Sequence, residues 1–163
     1  DIPPDQLRDG GFAVKILRSI GFVPADFFAH NFKAKELRSA AYTATELRAV
    51  GYSAQELHDG SFPPRQLKDA GFTAEELKEG GLRAEELESV GFSAIELKEG
   101  GYTPEEVRSA AYPASELRLA NFSATDLKAI GLTAKELKMG GFTIADLRAA
   151  GCPPWKLKGA GFS

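Results

Sequence analysis

The chain is poor in the residues that most often carry chemistry. Its 163 residues include one cysteine, one methionine, one tryptophan and two histidines. A lone cysteine, Cys152, excludes an internal disulfide and any metal site built on paired thiolates. His30 and His58 are far apart in sequence, and no His-Glu-x-x-His or similar spacing joins them. No apolar run approaches the roughly 20 residues of a membrane span, and no segment reads as a secretory leader. Charge of one sign is lacking too. Twenty basic and 23 acidic residues leave a net charge of −3, with no block of either sign. That argues against a nucleic-acid-binding tail or a polybasic membrane anchor. The single thiol leans the expected compartment towards the reducing cytoplasm.

What is present is one ten-residue word, written over and over. "FTAEELKEGG" begins at Phe72 and "FSAIELKEGG" at Phe92. With Thr73 as position 1, sixteen units follow one another from Pro3 to Phe162 without insertion or deletion. The consensus is (Ser/Thr/Pro)-(Ala/Pro)-x-Glu-Leu-(Lys/Arg)-x-(small or Val/Ile)-Gly-(Phe/Tyr/Leu).

Each position has a helical reason. A hydroxyl at position 1 precedes an acid three residues on, as in Thr43/Glu46, Ser53/Glu56 and Thr143/Asp146. That spacing is a capping box, in which hydroxyl and carboxylate each satisfy a backbone donor at the helix start. Proline at position 2, as in Pro24 and Pro104, suits the first helical residue. Glycine at position 9 suits the left-handed residue that ends a helix, and Asn31 and Asn121 tolerate the same conformation. Each unit therefore predicts a helix of about seven residues and a tight turn, too short to persist alone. It must stack. Leu at position 5 and the aromatic at position 10 form the expected core, and positions 3, 6 and 7 should face water.

The predicted fold is all-α: an α-solenoid of sixteen ten-residue helix–turn units forming one domain over residues 1–163. The repeat fills the chain, which suggests a segment of a longer protein. Val50, Val90 and Ile130 at position 8, spaced by forty, predict four short helices per superhelical turn. Gly80 and Ile20 do not fit that rhythm. The alternative fold is a quadrilateral pentapeptide-type β-helix, since Phe72, Leu77, Leu82, Leu87 and Phe92 recur every five residues. Prolines inside stacked strands and the capping pairs count against it.

Motifs such as "TAEELKEGG" and "TAKELKMGG" resemble short leucine-containing helical tandem-repeat arrays of the α-solenoid type, over essentially the whole chain. The resemblance implies a scaffold or protein-binding surface and carries over no catalytic residue. The residues agree. Glu75–Glu76, Glu85–Glu86 and Glu105–Glu106 recur with the helix and read as capping acids, and the glycine pairs form no phosphate-binding word. The expectation is no enzyme, no cofactor and no metal site.

Position 6 is Lys or Arg in thirteen units, so a basic row offered to nucleic acid is a distant alternative. Acids of matching frequency and the negative net charge make a solvated helix face the better account. A rigid spacer within a larger protein is the nearer rival. The sharpest site candidates are the apolar residues that break the repeat: Ile16, Phe27, Phe28, Ile95, Leu119, Met139 and Trp155. Exposed apolar side chains on a repeat scaffold can anchor a protein partner. Atypical terminal repeats are the plainer account of those near the ends. Open ends also predict end-to-end self-association.

Overall fold

A computed structural model describes residues 2–162. Every repeat folds as one six-residue α-helix and a turn, and no strand occurs among the described residues. That disposes of the β-helix alternative. The chain divides into two compact units, Asp1–Leu82 and Arg83–Ser163. Unit 1 holds α1 (Pro4–Asp9), α2 (Val14–Ser19), α3 (Pro24–Ala29), α4 (Ala34–Ser39), α5 (Ala44–Ala49), α6 (Ala54–Asp59), α7 (Pro64–Asp69) and α8 (Ala74–Glu79). Unit 2 holds α9 (Ala84–Ser89), α10 (Ala94–Glu99), α11 (Pro104–Ser109), α12 (Ala114–Leu119), α13 (Ala124–Ala129), α14 (Ala134–Met139), α15 (Ile144–Ala149) and α16 (Pro154–Gly159). Each unit is an α-solenoid in its own right.

The helix boundaries follow from local chemistry. Thr43 accepts from the Glu46 amide while the Glu46 carboxylate accepts from the Thr43 amide at 2.7 Å. The same reciprocal box closes at Ser53, Thr73, Ser93, Thr103, Ser123, Thr133 and Thr143. Where position 1 is Val23, Lys33 or Arg83, no side-chain acceptor exists and only the acid's half remains, at 2.8 Å in each case. Every helix but α11 stops in a Schellman turn, and α11 keeps only the bond from the Ala111 amide to the Arg108 carbonyl. In α1, the Phe12 amide donates to the Leu7 carbonyl and the Gly11 amide to the Arg8 carbonyl, with Gly11 at φ 88°. Five non-glycines hold the same left-handed backbone: Asn31, Ala41, Ser61, Ala111 and Asn121.

Leucine at position 5 carries the core. Leu17, Leu37, Leu47, Leu57, Leu67, Leu77, Leu87 and Leu97 are all fully buried. Position-10 rings close over them, and no polar or charged side chain is buried among the described residues. Burying one such leucine is worth about 1.5–3 kcal/mol. Truncating Leu77 to Ala would cost about 2–5 kcal/mol, because the rows cannot close over the void.

Stacking runs at twenty residues, not forty. In each unit the principal contacts join helix n to helix n+2, so odd-numbered helices form one row and even-numbered helices another. The two rows face each other through contacts such as α6 with α7 and α13 with α14. Two helices, rather than the expected four, therefore make one period. Hydrogen bonds obey the same rule. The hydroxyls of Tyr42, Tyr52 and Tyr112 donate to the carbonyls of Phe22, Phe32 and Phe92, each twenty residues earlier.

The twenty-residue period also accounts for Gly80. In the even row position 8 is Gly or Ala throughout, Ile20 excepted. A Cβ added at Gly60 would lie 2.9 Å from the Ala34 Cβ; at Gly80, 3.0 Å from the Ala54 backbone; at Gly140, 2.6 Å from the Ala114 Cβ. Helix n+2 there approaches the start of helix n too closely for a side chain. Val50 and Ile130 sit in the odd row, where position 8 tolerates bulk.

Position 6 does not merely face water. Arg18, Arg48 and Arg108 donate to the carbonyls of Ala40, Ala70 and Ile130, each 22 residues on. Arg118 does the same to Gly140, and Lys128 to Ala150 and Gly151. Arg8, Arg18, Arg38 and Arg48 also lie over the rings of Phe32, Tyr42, Phe62 and Phe72, at 4.2–5.8 Å. The cation of helix n thus caps the carbonyl end of helix n+2, where the helix dipole is negative. Its charge also rests on that repeat's ring. It is a stacking element.

Candidate functional site

The departures from the repeat separate into those the fold absorbs and those it leaves outside. Phe27 is fully buried, which corrects its reading as a partner contact. It fills the leucine position of α3, with its ring 5.0 Å from Phe32 and 5.7 Å from Tyr42, both edge-to-face. A ring larger than leucine found room by making an aromatic cluster, which periodicity alone does not reveal. Phe28 takes the place of the position-6 cation and keeps that cation's contact with the neighbouring ring, though it has no donor for the carbonyl. Its ring meets Tyr52 edge-to-face at 5.0 Å and covers Gly51. Although Phe28 remains 40% exposed, much of its surface belongs to the α3–α5 stack. Ile16 stays exposed at the position where a capping acid normally stands, and Ala13 before α2 offers no side-chain cap.

Unit 1 exposes other apolar side chains that the sequence reading passed over: Ile2, Phe12, Ile20 and Val23. Val23 was legible, since it occupies a hydroxyl position, and so was Ile20, which breaks the forty-residue rhythm at position 8. Phe12 was not. It stands at a core position but belongs to the first repeat, where no earlier helix covers it among the described residues.

The remaining four candidates form a pattern. Ile95, Leu119, Met139 and Trp155 are 45%, 62%, 72% and 69% exposed. They sit on α10, α12, α14 and α16, every one in the even row of unit 2. Ile95 and Trp155 occupy position 3, Leu119 and Met139 position 7. Positions 3 and 7 are four residues apart and share one helix face. The four departures thus belong to the outward side of one row.

Shallow grooves open on this row where α14 crosses the start of α12 and where α16 crosses the start of α14. One of about 370 Å³ between α12 and α14 takes Met139 and Ser115 as lining, with Arg108 and Glu136. The next, about 490 Å³ between α14 and α16, is lined by Trp155, Leu132 and Cys152 together with Lys128, Lys135 and Lys156. Cys152 is buried, a small apolar occupant of an aromatic position.

The titratable groups serve the fold. Hydrogen bonds from the Thr133 and Thr143 hydroxyls hold the Glu136 and Asp146 carboxyls below their usual range. In Glu46 the Thr43 amide is the larger cause. Burial pushes the Tyr52 and Tyr112 hydroxyls up to about 12, with Tyr102 higher still. His30 places its Nδ1 2.8 Å from the Asp5 carboxylate of α1, two helices back, so this variant residue joins the stacking contacts of its row. No group of three or more His, Cys, Asp or Glu able to hold a metal ion occurs among the described residues. No helix among them is long and apolar enough to cross a membrane.

A capped six-residue helix, a left-handed turn and stacking on the second neighbour define a helical tandem-repeat protein. A family model described as a decapeptide repeat region matches residues 3–73, 31–103 and 91–163. The chain belongs to that family. No curated protein and no solved structure matches it.

Proposed function

We propose that the chain is a non-catalytic scaffold whose second unit offers the outward face of its even row to a protein partner. The observation that carries this reading is the confinement of Ile95, Leu119, Met139 and Trp155 to one row and one face. Substitutions drifting without selection would fall on both rows. Elsewhere these two positions are dominated by charged and small residues such as Lys35, Glu75, Glu79 and Glu99. Clustered exposed apolar side chains are the ordinary mark of an interaction surface.

The basic row supports a nucleic-acid reading poorly. Its cations are committed to main-chain carbonyls and aromatic rings, and a phosphate would have to compete with both.

The test is affinity capture from a lysate of the source organism. The native chain is compared with a variant carrying Ile95→Glu, Leu119→Ser, Met139→Ser and Trp155→Lys. All four side chains are exposed, so the two proteins should melt alike. A partner retained by the native chain and lost by the variant supports the scaffold. Equal capture by both, or none by either, overturns it and leaves a spacer.

A further inference from the structure

The α14–α16 groove differs from its equivalents in charge as well as shape. The groove between α4 and α6 has mixed lining, Lys33 and Lys35 against Glu56 and Asp59. The α12–α14 groove pairs Arg108 with Glu136. The α14–α16 groove is lined by Lys128, Lys135 and Lys156 and by no carboxylate.

The cause lies in one helix. At positions 3, 4 and 7 of its repeat, α16 carries Trp155, Lys156 and Gly159. Position 4 is elsewhere mostly the capping acid, so Lys156 reverses a charge at the groove wall. Gly159 puts no side chain at position 7, where Glu, Asp, Ser, Leu or Met stands in the other even-row helices, and the groove stays open. Cys152, at position 10 of the preceding repeat, puts a small side chain beside Leu132 where a ring usually stands. The Lys156 ammonium lies 5.3 Å from the centre of the Trp155 ring. Lys128 is held in place by the Ala150 carbonyl at 2.6 Å and the Gly151 carbonyl at 2.8 Å. The chain as a whole is net negative, so this rim is a local reversal.

We infer that the α14–α16 groove is a docking site for an acidic, amphipathic peptide segment of a partner protein. The segment's apolar anchor would lie on Trp155 and Leu132, with its carboxylates meeting Lys135 and Lys156. The inference rests on the scaffold reading above and gives its partner a chemistry. A flat aromatic ring beside a small-residue floor suits a bulky apolar anchor, and a lysine rim without acids selects against basic segments. A helix turned only to water would have no use for a tryptophan 69% exposed in its first turn.

Trp155 is the only tryptophan, so its emission reports on the groove directly. The probe is a short synthetic peptide of glutamates with leucine and phenylalanine at helical i, i+3 and i+4 spacing, with a lysine-for-glutamate counterpart as control. The expected result is a saturable blue shift with the acidic peptide, at least tenfold tighter than with the basic one and weakened by added salt. A Lys135→Glu/Lys156→Glu variant, its helicity checked by circular dichroism, should lose at least tenfold in affinity for the acidic peptide. A basic peptide binding as tightly overturns the acidic assignment while the scaffold reading stands. Acidic-peptide binding unchanged in the double variant, or Trp155 emission indifferent to both peptides, overturns the site itself. The scaffold reading then depends on the capture experiment, which also reads Ile95 and Leu119.

Discussion

Arg48 of α5 donates from Nη1 to the carbonyl of Ala70 at 2.9 Å, and its guanidinium lies 4.5 Å from the centre of the Phe72 ring. It also meets the Glu76 carboxylate at 3.2 Å, with a third of its side chain exposed. One residue therefore joins three helices of unit 1. Arg48→Met keeps the apolar stem and removes the charge. It should lower the urea midpoint by an amount equivalent to about 1 kcal/mol, the discounted value of a charge-assisted bond near solvent.

Position 6 of α9 is an acid, Glu88, which helps raise the Tyr112 hydroxyl pKa after burial, the larger cause. Glu88→Arg would place a cation where Arg48, Arg108 and Arg118 cap helix n+2. Stability should rise by about 0.5–1 kcal/mol, the usual worth of a cation at a helix carbonyl end. Tyr112 should ionise at lower pH than in the native chain. Denaturant melts and an alkaline phenolate titration read the two effects independently.

Gly60→Ala, Gly80→Ala and Gly140→Ala should each destabilise by about 1–3 kcal/mol, because the new methyl meets the start of helix n at van der Waals overlap. Gly10→Ala has no such neighbour, and its φ of −75° suits alanine. That substitution should stabilise by about 0.4–1 kcal/mol through the unfolded chain. Opposite signs at the same repeat position, read by chemical melts, test the close approach within the even row.

The capping carboxylates make stability fall in acid. Glu46, Glu136 and Asp146 hold pKa values below their ordinary ones, so the unfolded chain binds more protons as pH drops. Their contribution is complete above the unfolded values of about 3.9–4.3 and disappears as pH falls through the lower folded ones. A Thr133→Ala/Thr143→Ala variant should lose about 1 kcal/mol per cap at neutral pH. It should also show a shallower loss of stability between pH 5 and about 2, measured by urea midpoints across pH.

Tyr52 behaves in the opposite sense. Its hydroxyl donates to Phe32 at 2.7 Å and titrates near 12, above its unfolded value of about 10. The stability it provides is fully present below pH 10 and lost as pH rises towards 12. Tyr52→Phe should cost about 1 kcal/mol at neutral pH and flatten the alkaline limb of the stability profile.

What the sequence made legible was whatever acts within one repeat. The box between Thr43 and Glu46 spans three residues, and the turn at Gly11 spans five, so both follow from spacing alone. The role of position 6 was hidden because Arg48 finds its acceptor 22 residues away. A cation at regular helical spacing looks like a solvated face until the neighbour's carbonyl is located. Position 8 misled for a related reason: Val50, Val90 and Ile130 repeat by forty, yet they are bulky members of the odd-numbered repeats, whose stacking period is twenty. Phe27 looked like a candidate contact because it broke the pattern, and burial shows that it fills the core instead. The outward set of Ile95, Leu119, Met139 and Trp155 was visible residue by residue. That all four share a row was not, since the row had first to be defined.

Stacking on the second neighbour has a consequence for how such genes change length. Removing one ten-residue word would carry every later helix into the opposite row. Where the lost word lies between them, Gly140 would leave its tight seat beside Ala114 and the bond it accepts from Arg118. Removing two words keeps each downstream helix in its row. The heritable quantum of this array is therefore twenty codons, and related genes should differ in length by even numbers of repeats.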